Sequence, residues 1–583
     1  MLKTLEPCNR SRAQCEALRG GPHLLRDCTP SAQGVNAEPL TMIAHTRVPS
    51  FLPGLLGAIL GGLVCAGNAL AIKDENNQGR WTNPTENDAP DKEVPGFLIN
   101  LGPTGARAVL TQKTFIVRYV FADSPAFGRL KNDDVVVGAF GTPFSAHTFG
   151  GTHGYEGPIM DLGLAIERAE AKDGRLVLNV LRSSKATEVR IDLGAIGAFS
   201  PTYPFGCRKS ALLRARALKY LAEHADAHHG KPHTRCAVAL ALLTSEDPLQ
   251  QALGKSIILK WAGERPDAGT WTWNLSYQLI ALSEYHLLTK DPSVLPAIKV
   301  VMAYLENAQY SGRILIWVAK EKEDPAQVDA AQQLYDGGFG HGPYVSGVGK
   351  NGYGPMQYTT ILAVIARQLA ARCGVPPDPD KLRRSMEFIH RGTNRAGYVA
   401  YGGEFTLNAG LVDPVAWRNS TSGENYVGRV GAAIVAHKLS PEFPASTDYL
   451  ELYRGYCKRA FKSMPDGHAD SNLGIFWGLI GACASHDNAV LRTMLDYHKA
   501  LFNMMRCHDG SFVLLPGRDY ADNGYYIASR YHPTATMALT FGLSYPKLRI
   551  EGVELSIPGV NPAALRACES FGRARRPSCP TGV

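Results

Sequence analysis

Polar and aromatic side chains recur from His233 onward in this 583-residue chain, each group standing just before an Ala/Leu-rich run. In order they are His233; Trp271, Trp273, Asn274 and Tyr277; Asp336 and His341; Tyr353, Gln357 and Tyr358; Trp417, Asn419, Glu424, Asn425 and Tyr426; His468, Asp470 and Asn472; and Arg530, Tyr531 and His532. Aromatic platforms interleaved with His, Asn, Arg and carboxylates are what a sugar cleft needs, since sugar faces stack on rings and hydroxyls need paired polar partners. A lyase would draw its base from Tyr or His and would neutralise a uronate carboxylate with Arg, Asn or His. A hydrolase would use two carboxylates, for which Asp336, Glu424 and Asp470 are the available set. The candidate catalytic residues are therefore His341, Glu424, His468, His532, Asp336, Asp470 and Arg530. The candidate substrate-binding residues are Trp271, Trp273, Asn274, Tyr353, Tyr358, Trp417, Asn425, Tyr426 and Tyr531.

A structural reading competes at each Asp-Gly pair, because both residues favour turns, so Asp336 and Asp466 also fit a role with no chemistry in it. His224, His228, His229 and His233 include an i, i+4 pair around Asp226, but such a cluster reads first as a solvated helix end. No metal and no cofactor is expected.

The elements that carry these groups show in the periodicity. From Cys207 onward apolar residues recur with a period near 3.6, as in Ser210 to Leu221, Val238 to Leu243, Leu275 to Leu288, Val294 to Leu305 and Thr359 to Ala371. About six units repeat, each an outer helix, a Gly-bearing turn and an inner helix. No unit buries its apolar face alone, so the units must close on one another as a ring over residues 205–548. In a closed ring the loops entering the inner helices open at one end, and helix N-termini there favour anions.

The turns Asp336-Gly337-Gly338-Phe339 and Asp509-Gly510-Ser511-Phe512, with the small-residue inner helices, resemble the α/α-toroid superfamily of terpenoid cyclases, prenyltransferase β-subunits, thioester domains and some polysaccharide lyases. The resemblance implies a fold rather than a reaction. The nearest approach to a cyclase acid motif in the toroid is Asp378-Pro379-Asp380, followed by Lys381; a prenyltransferase zinc set and the Gly-Cys-Gly-Glu-Gln thioester sequence are missing.

Upstream, residues 95–196 alternate in short β runs with one helix. Ser124-Pro125-Ala126, Leu130-Lys131, Asp134-Val135-Val136, Gly141 and the closing strands around Leu181 to Lys185 resemble a bacterial PDZ domain. Asp133 stands where that family usually has Gly, Phe140 where Asn is common, and Phe144 to Pro158 is a longer insertion. Such a module takes a peptide or protein C-terminus as an added strand, its carboxylate held by backbone N–H groups. The matching loop implies Gly102, Thr104, Gly105, Ala106 and Arg107 as peptide-binding residues, with Arg107 adding charge; a cap on an autonomous β-barrel is the other reading of that loop.

Phe51 to Gly67 is the long uncharged apolar run, flanked by Arg47 and ending at Ala69-x-Ala71, which reads as a signal peptide cut before Ile72. Residues 1–71 are thus an upstream segment and signal, with Met42 a candidate start, 72–94 a linker, and 549–583 an irregular tail. The expected location is periplasmic or secreted, with no stable membrane span after the cut. Cys8, Cys15, Cys28 and Cys65 lie before the cut, and the other cysteines are scattered with no CxxC, which argues against a zinc knuckle. A charged content of 20% beside 45% hydrophobic residues excludes a mainly disordered chain, and the +8 balance holds no basic run suited to nucleic acid. The order of signal, PDZ-like module and toroid resembles a family of exported bacterial proteins that brings no reaction with it. Two functions remain: an exported protein whose toroid binds and cleaves a polysaccharide, or a non-catalytic scaffold that recognises proteins.

Overall fold

The computed structural model describes residues 80–81, 94–95, 98–147, 155–225, 231–310, 335–345, 348–349, 354–401, 414–421, 427–465, 471–515 and 530–553. The chain divides into units at 1–67 and 68–583, and every described residue lies in the second. The signal-like run and the tail beyond 553 lie outside the described residues, as do Tyr353, Glu424, Asn425, Tyr426, His468 and Asp470.

A β-rich module comes first. Strands β1 (Arg80–Trp81) and β2 (Val94–Pro95) pair with each other. The main sheet is antiparallel, in the order β3 (Ile99–Asn100), β4 (Ala106–Leu110), β5 (Phe115–Val120), β6 (Val135–Ala139), β8 (Arg175–Arg182) and β9 (Lys185–Asp192), with β7 (Thr142–Pro143) beside β6. Helix α1 (Pro158–Ala171) closes over it between β7 and β8, burying Ile159, Leu162 and Ile166. Asp133 and Phe140 both have left-handed backbone, at φ 69° and 51°. That conformation suits the Gly and Asn the PDZ resemblance leads one to expect there.

The rest is helical: α2 (Arg208–Glu223), α3 (Pro232–Leu243), α4 (Pro248–Ala262), α5 (Thr272–Thr289), α6 (Leu295–Asn307), α7 (Gln357–Arg372), α8 (Pro379–Arg391), the short α9 (Pro414–Asn419), α10 (Val427–Lys438), α11 (Ser446–Arg459), α12 (Ser471–Ala484), α13 (Asn488–Met505) and α14 (Tyr531–Gly542). Helices α3, α5, α7, α10, α12 and α14 each pack on the next, and α14 returns to α3, so the inner ring closes. Outside it α4, α6, α8, α11, α13 and α2 each back an inner helix, with α2, α4 and α6 also touching a second one. This is an α/α toroid of helical hairpins following an antiparallel β module.

Sequence chemistry distinguishes the two layers. Inner helices are buried on all sides, as α7 is from Gln357 to Ala370 and α10 from Val427 to His437. Outer helices bury one stripe: α8 buries Leu382, Ser385, Met386, Phe388 and Ile389. Its start is fixed by Asp378, whose carboxylate accepts from the amides of Asp380 and Lys381, with Pro379 at the first helical position. Inner helices α10 and α12 meet backbone to backbone, since a Cβ on Gly431 would lie 2.2 Å from the Trp477 carbonyl oxygen.

Candidate functional site

The mouth of the ring is the end where inner helices begin. The second residue of four of them carries a ring: His233 in α3, Trp273 in α5, Tyr358 in α7 and His532 in α14. Repetition of the hairpin therefore places equivalent aromatic positions around one opening.

Trp271, the N-cap of α5, is 46% exposed at the rim. Its ring centroid lies 5.9 Å from that of His341, in the turn that precedes α7. Trp273 donates its indole N–H to His341 Nδ1 at 2.8 Å, and the Thr272 amide donates to the His341 carbonyl at 2.9 Å. An indole N–H only donates, so Nδ1 accepts and the imidazole proton of the neutral ring sits on Nε2. Burial lowers the His341 pKa, which favours that neutral form. Tyr358 stacks obliquely on Trp273, with centroids 5.7 Å apart.

One turn deeper on the same face of α5 stands Tyr277. Its hydroxyl accepts the indole N–H of Trp477 at 3.1 Å. Trp477 belongs to α12, opposite α5 in the ring, so this bond bridges the bore. Phe476, His233 and His532 complete the layer: the two histidine rings lie 5.0 Å apart and His532 lies 5.7 Å from Phe476. Burial pushes His233 down to about 3, and burial with His233 as neighbour takes His532 well below its usual value. Both are neutral at physiological pH. An aromatic shaft thus runs from an exposed indole to a filled core.

The remaining candidates are held elsewhere. Asp336 pairs with Arg384 of α8 at 3.0 Å, an outer-helix contact rather than a mouth one. Its turn serves as a staple: the Phe339 amide donates to the Thr360 hydroxyl, and the Phe512 amide of the second Asp-Gly turn donates to the equivalent Thr534, both at 2.9 Å. Arg530 is paired to Asp509 at 2.6 Å. Tyr531 is partly buried near Tyr220 of α2 and His224, the residue that caps that helix, Asn274 is exposed, and Trp417 meets Tyr398 edge-on. Trp477 and Phe476, which lie in the run Leu473 to Ala484, were not among the sequence candidates; aromatic residues amid small ones were the signal for them.

The PDZ-like loop is enclosed. Gly102, Thr104, Gly105, Ala106 and Arg107 are all buried. The Ala126 amide uses the Thr104 carbonyl, and the Phe121 amide that of Gly105. Arg107 bonds to the Asn100 amide oxygen, and Asn100 in turn donates to the carbonyls of Met504 and Arg506, at 2.6 and 2.7 Å. β3 already pairs with β4 at Ala108 and Arg107. A Cβ on Gly163 of α1 would lie 2.3 Å from the Ala500 carbonyl oxygen of α13. Below this contact Glu170 takes Arg506 bidentately at 2.7 Å and Lys209 at 2.8 Å, all three nearly or fully buried. The loop Gly102 to Arg107 is therefore covered by the C-terminal end of α13 and the residues that follow it.

Among the described residues no group of three or more His, Cys, Asp or Glu is arranged to hold a metal ion, and no helix is long and apolar enough to cross a membrane. A family model described as a domain of unknown function (DUF6288) matches residues 210–327 and 323–552, which together cover the ring. No curated protein matches the chain. Solved structures similar to it include a Listeria innocua protein (TM-score 0.39, 11% identity, 58% of this chain and 98% of that one). A polysaccharide lyase gives TM-score 0.36 at 11% identity over 58% of this chain and 99% of its own. An unsaturated glucuronyl hydrolase specific for heparin gives 0.37 at 10% identity, over 57% and 96%. Likenesses this distant carry no argument about chemistry.

Proposed function

We propose, for a chain that belongs to the DUF6288 family, that the mouth of the toroid binds a polysaccharide. The observation that carries this reading is the Trp271, Trp273 and His341 group. Trp271 offers a flat apolar face to a sugar ring, and the neutral imidazole of His341 lies beside it, with ring centroids 5.9 Å apart. Chain cleavage, as a lyase or glycoside hydrolase, extends the reading through Glu424, His468 and Asp470. Export to the periplasm or medium belongs to it as well, since that is where such a substrate is met.

The alternative is a non-catalytic envelope scaffold. The filled bore behind the mouth, bridged by Trp477 and Tyr277, favours it. Native-gel retardation of the full chain by a panel of acidic and neutral polysaccharides separates the two. Retardation by at least one of them supports the glycan reading, and retardation by none sinks it. New reducing ends with an unsaturated terminal ring would mark a lyase, and new ends without one a hydrolase.

A further inference from the structure

The seam where the ring closes, between α2 and α14, holds a pocket of about 560 Å³ that takes no part in the mouth. Leu218 of α2 and Phe541 of α14 wall it, Cys207 lines its base at the N-cap of α2, and Tyr545 lines its edge. The volume falls within the range of small-molecule sites. Tyr545 in its lining is 65% exposed, and the exposed Phe205 (37%) and Leu249 (76%) neighbour the lining residues Gly206 and Gln250 in sequence. A concave, largely apolar lining with an exposed aromatic ring beside a few polar groups is the make-up of a small-molecule site.

The polar groups in this pocket are unequally satisfied. On the acidic side, Glu246 is paired to Lys547 at 2.8 Å, and Asp247 caps α4 by accepting the Leu249 amide at 2.8 Å. On the basic side, Arg208 makes no hydrogen bond or ion pair with any described residue. Arg214 donates from Nη2 to the Thr244 carbonyl at 2.7 Å, while its buried Nε has no partner among the described residues. A buried guanidinium N–H without an acceptor is costly. Both acids are engaged, and Glu246 and the buried Glu551 also act on Arg214 through space, while N–H donors on Arg208 and Arg214 remain without an acceptor among the described residues.

We propose that this seam pocket binds a small carboxylate with an apolar body, its head on Arg208 and Arg214 and its body against Leu218, Phe541 and Tyr545. The site is independent of the glycan reading of the mouth. Cys207 gives it a built-in reporter. Burial raises that thiol, but hydrogen bonds from Ser210 and Ser200 outweigh it and hold the thiol below its usual value. Cys236, Cys373, Cys457, Cys483 and Cys507 are all pushed up by burial.

The test is iodoacetamide labelling of the full chain, followed by mass spectrometry of the tryptic peptide that carries Cys207, which ends at Arg208 in wild type and at Lys209 in R208M. Decanoate, decanol and decyltrimethylammonium are compared below their micelle concentrations, and melting temperature serves as a second readout independent of the thiol. Decanoate is expected to slow labelling saturably and to raise the melting temperature, while the ammonium does neither. Arg208→Met, a change at an exposed side chain, should weaken the decanoate effect by about tenfold or more, the worth of one ionic hydrogen bond. Equal effects of decanoate and the cation, no effect of decanoate on either readout, or an unchanged midpoint in R208M would each overturn the proposal.

Discussion

The indole N–H of Trp273 donates to Nδ1 of His341 across 2.8 Å, joining the second residue of one inner helix to the turn before the next. That bond sets the tautomer and orientation of the histidine the mouth presents. Removing it in Trp273→Phe frees Nδ1 to take a proton, so the His341 pKa should rise towards its usual value. Imidazole NMR titration of wild type and W273F reads the shift; identical titration curves would mean that burial alone governs the ring.

A second consequence concerns pH and the far end of the ring. Glu284 of α5 accepts the amides of Arg549 and Ile550 at 3.0 and 2.8 Å, and Glu551 accepts those of Lys547 and Leu548 at 2.9 and 3.0 Å. Burial pushes both carboxyl groups up to about 7 from 4.5, against the lowering effect of those amides. With the folded pKa raised, the folded state holds more protons between these values. The stabilising contribution is therefore complete below 4.5 and lost as pH rises through 7. Buried His233, His390 and His437, pushed down to about 3, 4 and 3, act in the opposite sense and lose their contribution as pH falls below 6.5. Glu284→Gln should remove one rising-pH loss, so its melting temperature relative to wild type climbs across pH 4.5 to 7. Parallel curves would contradict the assignment.

The junction of the two modules rests on Glu170, which is fully buried between Arg506 and Lys209. Burial raises its pKa and these two cations more than offset that, leaving the carboxyl ionised. Glu170→Gln leaves the buried Arg506 without an anion, while Lys209 keeps Glu167, and should cost about 3–5 kcal/mol in denaturant unfolding. A loss below about 1 kcal/mol would place the pair among weak surface contacts.

Export makes a chemical prediction at the other end of the chain. If Arg47, the apolar run from Phe51 and Ala69-x-Ala71 act as a signal, N-terminal sequencing of secreted material should begin at or near Ile72. Soluble cytoplasmic product retaining Met1 would refute it.

Much of the fold was readable because its causes are local. The 3.6-residue period, Pro and Asp at helix starts and Gly in the turns mark hairpins, and hairpins with two apolar faces must close into a ring. At Asp133 and Phe140, where the sequence departs from the PDZ pattern, the backbone is left-handed all the same, which the sequence reading did not anticipate. The site was legible only in part. The composition of the turns named Trp271, Trp273 and His341, but nothing local says that Asp336 faces Arg384 on an outer helix instead of the mouth. Nor does the loop Gly102 to Arg107 announce that α13, some four hundred residues away, covers it; long-range packing decides both. The Trp477–Tyr277 bridge spans two hundred residues and follows only from ring closure.

The glycan reading of the mouth is tested most directly by calorimetric titration of wild type, W271A and W271F with a polysaccharide that retards the full chain. The account predicts binding at least about tenfold weaker in W271A, as loss of an indole's buried apolar face implies, with W271F near wild type and all three melting alike. Equal affinity in W271A, with the protein folded, would contradict it.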